Sequence, residues 1–417
     1  MHQKNLWQET SREKIAFGNL KKSITTDLVV VGGGFTGCST ALFAAKNGLS
    51  VTLIDQKIGY GGSGRNVGLV NAGLWMPPKK VESILGLDAG VKLNNALATA
   101  PDLVFSLIDD YEINCSANRS GTLHCAHSQR GLKDIQLRFK QLSERGAELE
   151  LLDKQQTEQR IGSSNFFGSL FNKKAGIINP LDYCLGLAKA AKSNGVNIYE
   201  STLATKIQSI NNDWLVKTPQ GSIKAKMLLI ATNAYQKPIE GLNPSKYTSV
   251  QYFQVATKAL PLDQVRSVLP NGEGCWDTAS VMSSFRLDTD NRLIIGGIGN
   301  LGHSGSKIHT NWARRKVERL FPQLKNIAIE YSWHGRIAMT GDHIPKIIKL
   351  GNNAYSVFGY SGRGIGPGTY FGKAVSDCLV RGDESFLPVD PLDNYQEPLS
   401  SFKGGLIEFG ATVSHLL

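Results

Sequence analysis

The hydrophobic period changes twice within the first sixty residues. The unbroken apolar run LVVV, residues 28–31, predicts a strand buried on both faces. GCSTALFAAKNG predicts a helix closed by Gly48, and SVTLID a second parallel strand ending in an acid, Asp55. Together, Asp27 to Asp55 read as one βαβ unit. A further helix is predicted over Pro180–Asn194, closed at Gly195. The stretches VNIYESTLATKIQSI and DWLVKTPQGSIKAKMLLIATNAY then alternate as antiparallel strands around a PQG turn and end in a fully apolar strand, MLLIAT. Alternation recurs from Lys246 to Leu260 and from Met282 to Gly297, the latter with a TDN hairpin turn. A mixed-charge helix is predicted over Asn311–Phe321. Last come a buried strand, AYSVFG, a second glycine-rich turn, YSGRGIGPGTY, and a helix, FGKAVSDCLV. Nucleotide-type α/β elements therefore fall at the beginning, middle and end, with antiparallel segments between them. That order predicts an α/β fold, α+β overall, with two domains woven together. No internal repeat or low-complexity tract interrupts it, and the tail after Pro388 is expected to strap the surface.

The first unit also carries chemistry. Gly32, Gly34 and Gly37 fit G-x-G-x-x-G straight after a strand and at the opening of a helix, the context in which that pattern is informative. One glycine permits the tight turn, the next lets backbone approach a diphosphate, and Gly37 lets the helix lie close to the strand. Asp55 follows Gly37 by 18 residues, where an acid can accept hydrogen bonds from a ribose diol. The unit predicts dinucleotide binding but does not separate NAD from FAD.

Composition narrows the setting. A chain of 417 residues, 41% hydrophobic, can bury a large core and predicts two or three domains. Lys and Arg exceed Asp and Glu by 46 to 35, a formal charge of +11, which favours anionic ligands; the cations are dispersed in pairs, as on a solvated surface. The six cysteines contain no C-x-x-C pair and read as buried thiols of a reducing cytosol. HCAH, residues 124–127, is the best metal candidate, but it alternates like a strand and no second ligand pair follows, so no metal is expected. The N-terminal stretch lacks the apolar core of a secretion signal and no segment reads as a transmembrane helix, so a cytoplasmic protein is expected.

The choice between NAD and FAD rests on later segments. GGSGRN, residues 61–66, is richer in glycine and donors than a crossover needs, and could reach over a diphosphate towards a bulky ring. The second glycine-rich helix start, Gly359–Gly368, could stabilise the negative charge that appears on a flavin's N1 and C2 carbonyl on reduction, which a nicotinamide does not require.

GGGFTG, GSGRN and GYSGRG, with NPLDYCLGLAKAAKSNGVNIYESTLATKI, IATNAY and WHGRIAMTGDHIP between and around them, resemble in content and order the FAD-dependent D-amino acid oxidase superfamily. The likeness runs from about Thr26 to Leu379 and is nearest to the γ-glutamylputrescine oxidoreductase branch, with glycine oxidase and monomeric sarcosine oxidase more distant. It implies a discontinuous Rossmann-like FAD-binding domain (residues 1–80, 165–240 and 331–388), interleaved with an antiparallel-sheet substrate domain (81–164 and 241–330) and followed by a tail (389–417). It also implies that Gly32, Gly34, Phe35, Thr36, Gly37, Asp55, Gln56, Gly62, Ser63, Arg65, Asn66, Ala204 and Thr232 serve the adenosine, diphosphate and flavin path. Gly362, Arg363, Gly364 and Ile365 would meet the pyrimidine side of the flavin; Arg363 departs from the histidine common there. The cysteine that attaches flavin in sarcosine oxidase aligns with Gly335, which implies a non-covalent FAD. That enzyme's oxygen-activating lysine aligns near Ile294, which favours a dehydrogenase over an oxidase.

The resemblance further implies oxidation of a C–N bond in a small amine or amino acid, by hydride transfer to flavin N5 and hydrolysis of the imine. Such chemistry depends on orientation more than on acid or base groups. Arg286 and Arg336 are the candidate carboxylate clamps, since an arginine fork makes two hydrogen bonds; glycine oxidase's arginine aligns one position further on, at Ile337. Tyr252, Trp333, Tyr360 and Trp75 are candidate walls of the cavity, and His303 and His334 candidate titrating groups. The acceptor stays open between oxygen, a quinone and an electron-transfer protein. The alternatives are a nicotinamide-dependent dehydrogenase and, from the basic charge, a flavin-dependent RNA-modifying protein, although no nucleic-acid partner is expected.

Overall fold

The computed structural model describes residues 4–303 and 305–416. The chain forms two large mixed sheets of eight strands each, flanked by helices. In the first sheet, Ile24–Val31 lies between Gly221–Ile230 and Val51–Ile54, parallel to both, with Val29 opposite Leu228 and Thr52. Asn197–Tyr199 and Ala354–Phe358 extend it on either side, also parallel. Leu28, Val29 and Val30 are wholly buried, the expected result of an apolar run with sheet on both edges and cover on both faces. The PQG turn closes the hairpin of Asp213–Thr218 with Gly221–Ile230.

Three helices, Phe35–Lys46, Pro180–Ser193 and Ile365–Arg381, pack together beside this sheet. Gly372 sets the closest crossing: a Cβ there would lie 2.6 Å from the Thr36 carbonyl oxygen. Gly37 does the same against the strand, where a Cβ would lie 1.8 Å from Gly32 O.

The second sheet is built around Thr248–Ala259, which pairs antiparallel with Arg292–Ile298 on one edge and Ile329–Met339 on the other. It is mixed rather than wholly antiparallel, because Gly274–Asp277 runs parallel to Thr122–Cys125. Those two parallel strands are joined by residues 126–273, a long connection that includes helices and strands of the first sheet, as a parallel pair requires. Ser169–Asn172 and Ile329–Met339 also pair into this sheet, although most of their residues fall in stretches expected for the flavin unit. Alternation marks a half-buried strand without saying which sheet it joins.

Two terminal segments complete the structure. Near the N-terminus a short helix, Leu6–Thr10, seats Leu6 and Trp7 in an apolar cluster with Leu181, Ile294 and Trp333. The tail crosses both sheets through bridges at Leu392 to Ile348 and Gln396 to Lys246, then forms a helix, Ser400–Leu416, lying on Thr248–Ala259.

Candidate active site

A cavity of about 490 Å³ runs between the two sheets, from the first glycine turn to the second. Both helices that open onto it begin at glycine N-caps, Gly34 and Gly364, which have no side chain to cap them. Elsewhere Ser128, Asp153 and Asn179 cap their helices with side chains. Two positive helix ends, and the first-turn N–H groups left after Phe35 is taken by Ser63, thus face one cavity, a donor set suited to a diphosphate and to a reduced flavin. Ser63 Oγ accepts the Phe35 N–H at 3.0 Å, joining the GSGRN loop to the first turn.

At the nucleotide end, Asp55 Oδ2 accepts the Gly33 N–H at 2.5 Å and Oδ1 accepts the Lys57 N–H at 3.2 Å. Burial nevertheless pushes this carboxyl above the ordinary aspartate range, with backbone N–H groups opposing it. A ribose diol donating to the carboxylate would offset that cost. Gln56, Ala204 and Thr232 line the same end.

The middle is organised by the loop Gly61–Asn66. Arg65 donates from Nη1 to His334 O at 3.1 Å and from Nε to Tyr60 O at 2.9 Å, while Asn66 folds back onto Gly62 O and Ser63 O. Beneath it, Asn5 donates to Gly64 O and Trp7 Nε1 to Asn66 O, both at 2.9 Å, so the N-terminal segment braces the loop. Gly335 lines the cavity and supplies no sulfur for a covalent flavin bond.

The far end lies beneath the second sheet and holds Trp75, Tyr252, Gln254, Trp276, Met282, Ser284 and Arg363. Arg363 is enclosed by aromatics, 4.5 Å from the Trp75 ring centre and 5.1 Å from that of Trp276, and its Nη1 donates to Ala72 O at 2.9 Å. No carboxylate pairs with it among the described residues, and its Nε is buried without a partner, as are Trp276 Nε1 and Gln254 Oε1. Burial, with the charge of Arg138 adding, pulls the guanidinium down to about 9, so it stays a cation at neutral pH. Tyr252 spends its hydroxyl on Ser284 Oγ and Gly296 O, and Tyr360 spends its own on Thr36 Oγ1 at 2.6 Å. Both shape the cavity rather than offering a free acid or base.

Of the residues singled out in the sequence, Gly32, Gly34, Phe35, Thr36, Asp55, Gln56, Gly62, Ser63, Arg65, Asn66, Ala204, Thr232, Gly362, Arg363, Gly364, Ile365, Trp75, Tyr252, Arg336 and Tyr360 line this one cavity. Gly37 sits behind it. Arg336 is exposed at its rim, its guanidinium 4.7 Å from the Tyr235 ring. Arg286 and Trp333 do not line it. Arg286 is buried against Trp7, 5.0 Å from that ring, donates to Ile178 O, and opens onto a separate cavity of about 390 Å³. Trp333 is buried edge-on to Trp7 and donates to Arg65 O at 2.9 Å. His303 and His334 also lie off the cavity. His124 is buried and stacked on Trp276, and His127 meets Thr278 Oγ1 at 2.7 Å, so HCAH does not gather its ligands. Tyr235, Gln254 and Trp276 were missed. Gln254 had a signal, since it follows Tyr252 by two positions on the same face of a strand.

The profile of the DAO family, FAD dependent oxidoreductases, matches residues 27–378. The chain is 30% identical over 401 residues to gamma-glutamylputrescine oxidoreductase of Escherichia coli, covering 95% of this chain and 93% of that one. It is 30% identical to the probable oxidoreductase OrdL of Haemophilus influenzae, over 92% of this chain and 89% of that one. The fold is similar to L-proline dehydrogenase from P. horikoshii, with a TM-score of 0.72 and 21% identity over 88% of this chain and 98% of that one. Glycine oxidase from Geobacillus kaustophilus is similar at a TM-score of 0.70 and 19% identity, over 88% and 99%. With two glycine turns meeting at one cavity and a family match across most of its length, the chain belongs to the DAO family of FAD-dependent oxidoreductases.

Proposed function

We propose that this protein oxidises the C–N bond of a small, carboxylate-bearing amine, an amino acid or a conjugate of one. The observation that carries this reading is the far end of the cavity, where Arg363 Nε and Trp276 Nε1 are buried donors without partners beside an unneutralised guanidinium. A carboxylate would satisfy both donors and the charge together. Gln254 Oε1, the third partnerless atom there, accepts, and suits an amine N–H.

Bound FAD would supply the hydride acceptor for oxidation of the carbon beside a neutral amine, and water would hydrolyse the resulting imine. The residues here bind and orient. The backbone of Gly362–Ile365 and the loop Gly62–Asn66 would hold the flavin without a covalent bond, Arg363 and Trp276 would fix the substrate's acid group, and Trp75, Tyr252 and Met282 would exclude water. The position aligned with sarcosine oxidase's oxygen-activating lysine is Ile294, an apolar side chain fully buried with Leu6, Trp7, Leu181 and Trp333. This supports a dehydrogenase.

The test is anaerobic bleaching of the flavin by a panel of amino acids, N-methyl amino acids and polyamine conjugates, each with its decarboxylated counterpart. Bleaching by carboxylates alone, with slow recovery in air and fast recovery with a dye acceptor, is the expected result. Equal bleaching by decarboxylated compounds would remove the role of Arg363, and rapid recovery in air would make the enzyme an oxidase.

A further inference from the structure

We propose that the C-terminal helix, Ser400–Leu416, docks this protein onto an anionic lipid bilayer. Along it, Phe402, Leu406, Phe409, Val413 and Leu416 recur at alternating intervals of four and three, the spacing of a single helix face. All five are between 40% and 67% exposed, and Leu399, just before the helix, is exposed beside them. Solvated helices of soluble proteins put their apolar stripe inwards. Here the inward face is made of other residues. Gly404 lies so close to the sheet that a Cβ would sit 2.7 Å from Ser249 O, Ala411 and His415 are buried, and Glu408 accepts from His303 and His309 at 3.0 Å each. The helix is thus anchored by one face while the other presents a continuous apolar ridge, of the kind that marks an interaction site.

Charge identifies the occupant. The outward face carries no acid, because Glu408, the only acidic residue of the helix, is turned inwards. The ridge is flanked by Ser401, Gly405, Gly410 and Ser414 and by one cation, Lys403, which pairs with Glu397. The neighbouring helix, Ser306–Leu320, exposes Lys307, Arg314, Arg315 and Arg319, and Arg315 reaches across to His415 O. Apolar side chains beside a cationic border match a bilayer interface with anionic headgroups. A second copy of this chain fits less well. A twofold axis through the ridge would bring the two cationic helices towards each other, and the one charge on the flanks, Lys403, is already paired within the chain with Glu397. Among the described residues no helix is long and apolar enough to cross a membrane, so the helix lies in the interface, about 25 Å long for its 17 residues.

The test uses the full-length holoprotein in co-sedimentation with vesicles of phosphatidylcholine alone or with phosphatidylglycerol added. Binding to the anionic vesicles only, weakened by salt, is expected. Leu406→Ser with Phe409→Ser should abolish it, and Lys307→Glu with Arg314→Glu should weaken it on the order of tenfold or more. These positions are exposed and do not line the cavity, so retained flavin colour and unchanged amine-driven bleaching in solution will show that each variant is folded. Wild-type protein that stays in the supernatant with both vesicles overturns the proposal. If light scattering then finds a dimer that the Leu406→Ser, Phe409→Ser pair makes monomeric, the ridge belongs to a second copy instead.

Discussion

The guanidinium carbon of Arg363 lies over Trp75, 4.5 Å from the ring centre, and Trp75 Nε1 in turn donates to Ser361 O at 2.6 Å. The indole is therefore pinned to the same turn that carries the arginine, and the fork is held before substrate arrives. Lysine would keep the charge but lose Nε, the planar fork and the stacking. Arg363→Lys is expected to raise KM for a carboxylate substrate about ten- to a hundredfold, the cost of about 1.5–3 kcal/mol for a hydrogen bond to a charged group, while flavin content stays full. Steady-state kinetics beside the flavin spectrum will check this; a parallel loss of flavin would make Arg363 a cofactor residue.

Asp55 tests the nucleotide end. Its carboxylate accepts from Gly33 and Lys57, and burial raises its proton affinity, so ionised Asp55 costs stability at neutral pH until ribose hydroxyls donate to it. Asn would set an amide against the same carboxylate-accepting surroundings and remove the charge-assisted bonds. Asp55→Asn is expected to weaken FAD about ten- to a hundredfold and to shrink the rise in Tm on adding FAD. Flavin fluorescence on dilution and paired melting curves measure both.

Much of this site was legible because its determinants are local. The glycine spacing, the strand before it and the acid after it lie within Asp27–Asp55, and the loop Gly61–Asn66 announces itself by composition. Arg286 and Trp333 lie off the cavity for a different reason. Arg286 shares a strand face with Ser284, and Trp333 with Gly335, both of which line the cavity. Two residues along each strand, however, the cavity ends against Trp7, which lies 5.0 Å from Arg286 and 5.8 Å from Trp333. Alternation assigns a face; where a cavity stops along it depends on a side chain hundreds of residues away in sequence. Trp7 itself sits in a helix of five residues, too short to show a period.

That position makes Trp7 a brace whose removal should be felt at the flavin. Trp7→Ala leaves a cavity against Trp333 and Arg286 and removes the bond to Asn66 O, and should cost about 3–5 kcal/mol. Trp7→Phe fills most of the space and forfeits mainly the hydrogen bond, about 1 kcal/mol. The expected order of both Tm and FAD occupancy is wild type, then Phe, then Ala. If Trp7→Ala lowers Tm but keeps full flavin, the loop Gly62–Asn66 does not depend on the N-terminal segment.

The C-terminal helix should answer to pH through a buried pair. His309 and His415 meet Nδ1 to Nδ1 at 2.8 Å, so only one proton fits between them, and Trp312 stacks on His415 at 4.1 Å. Burial, reinforced by His309, pulls His415 down to about 3. Burial would raise Glu408, but hydrogen bonds from His309, His303 and Asn300 hold it at about 2. Both groups are depressed in the folded state, so their contributions are complete above their unfolded values and are lost as pH falls. His415 acts first, below its ordinary value of about 6.5, and Glu408 below about 4.3. Limited proteolysis should therefore cut near Leu399 progressively faster from pH 7 to pH 4.5, before the flavin is released. His415→Phe keeps the contact with Trp312 and removes the titration, so its cleavage rate should vary less over the same range. Equal pH dependence in the two proteins would show that His415 does not govern how firmly the helix is held.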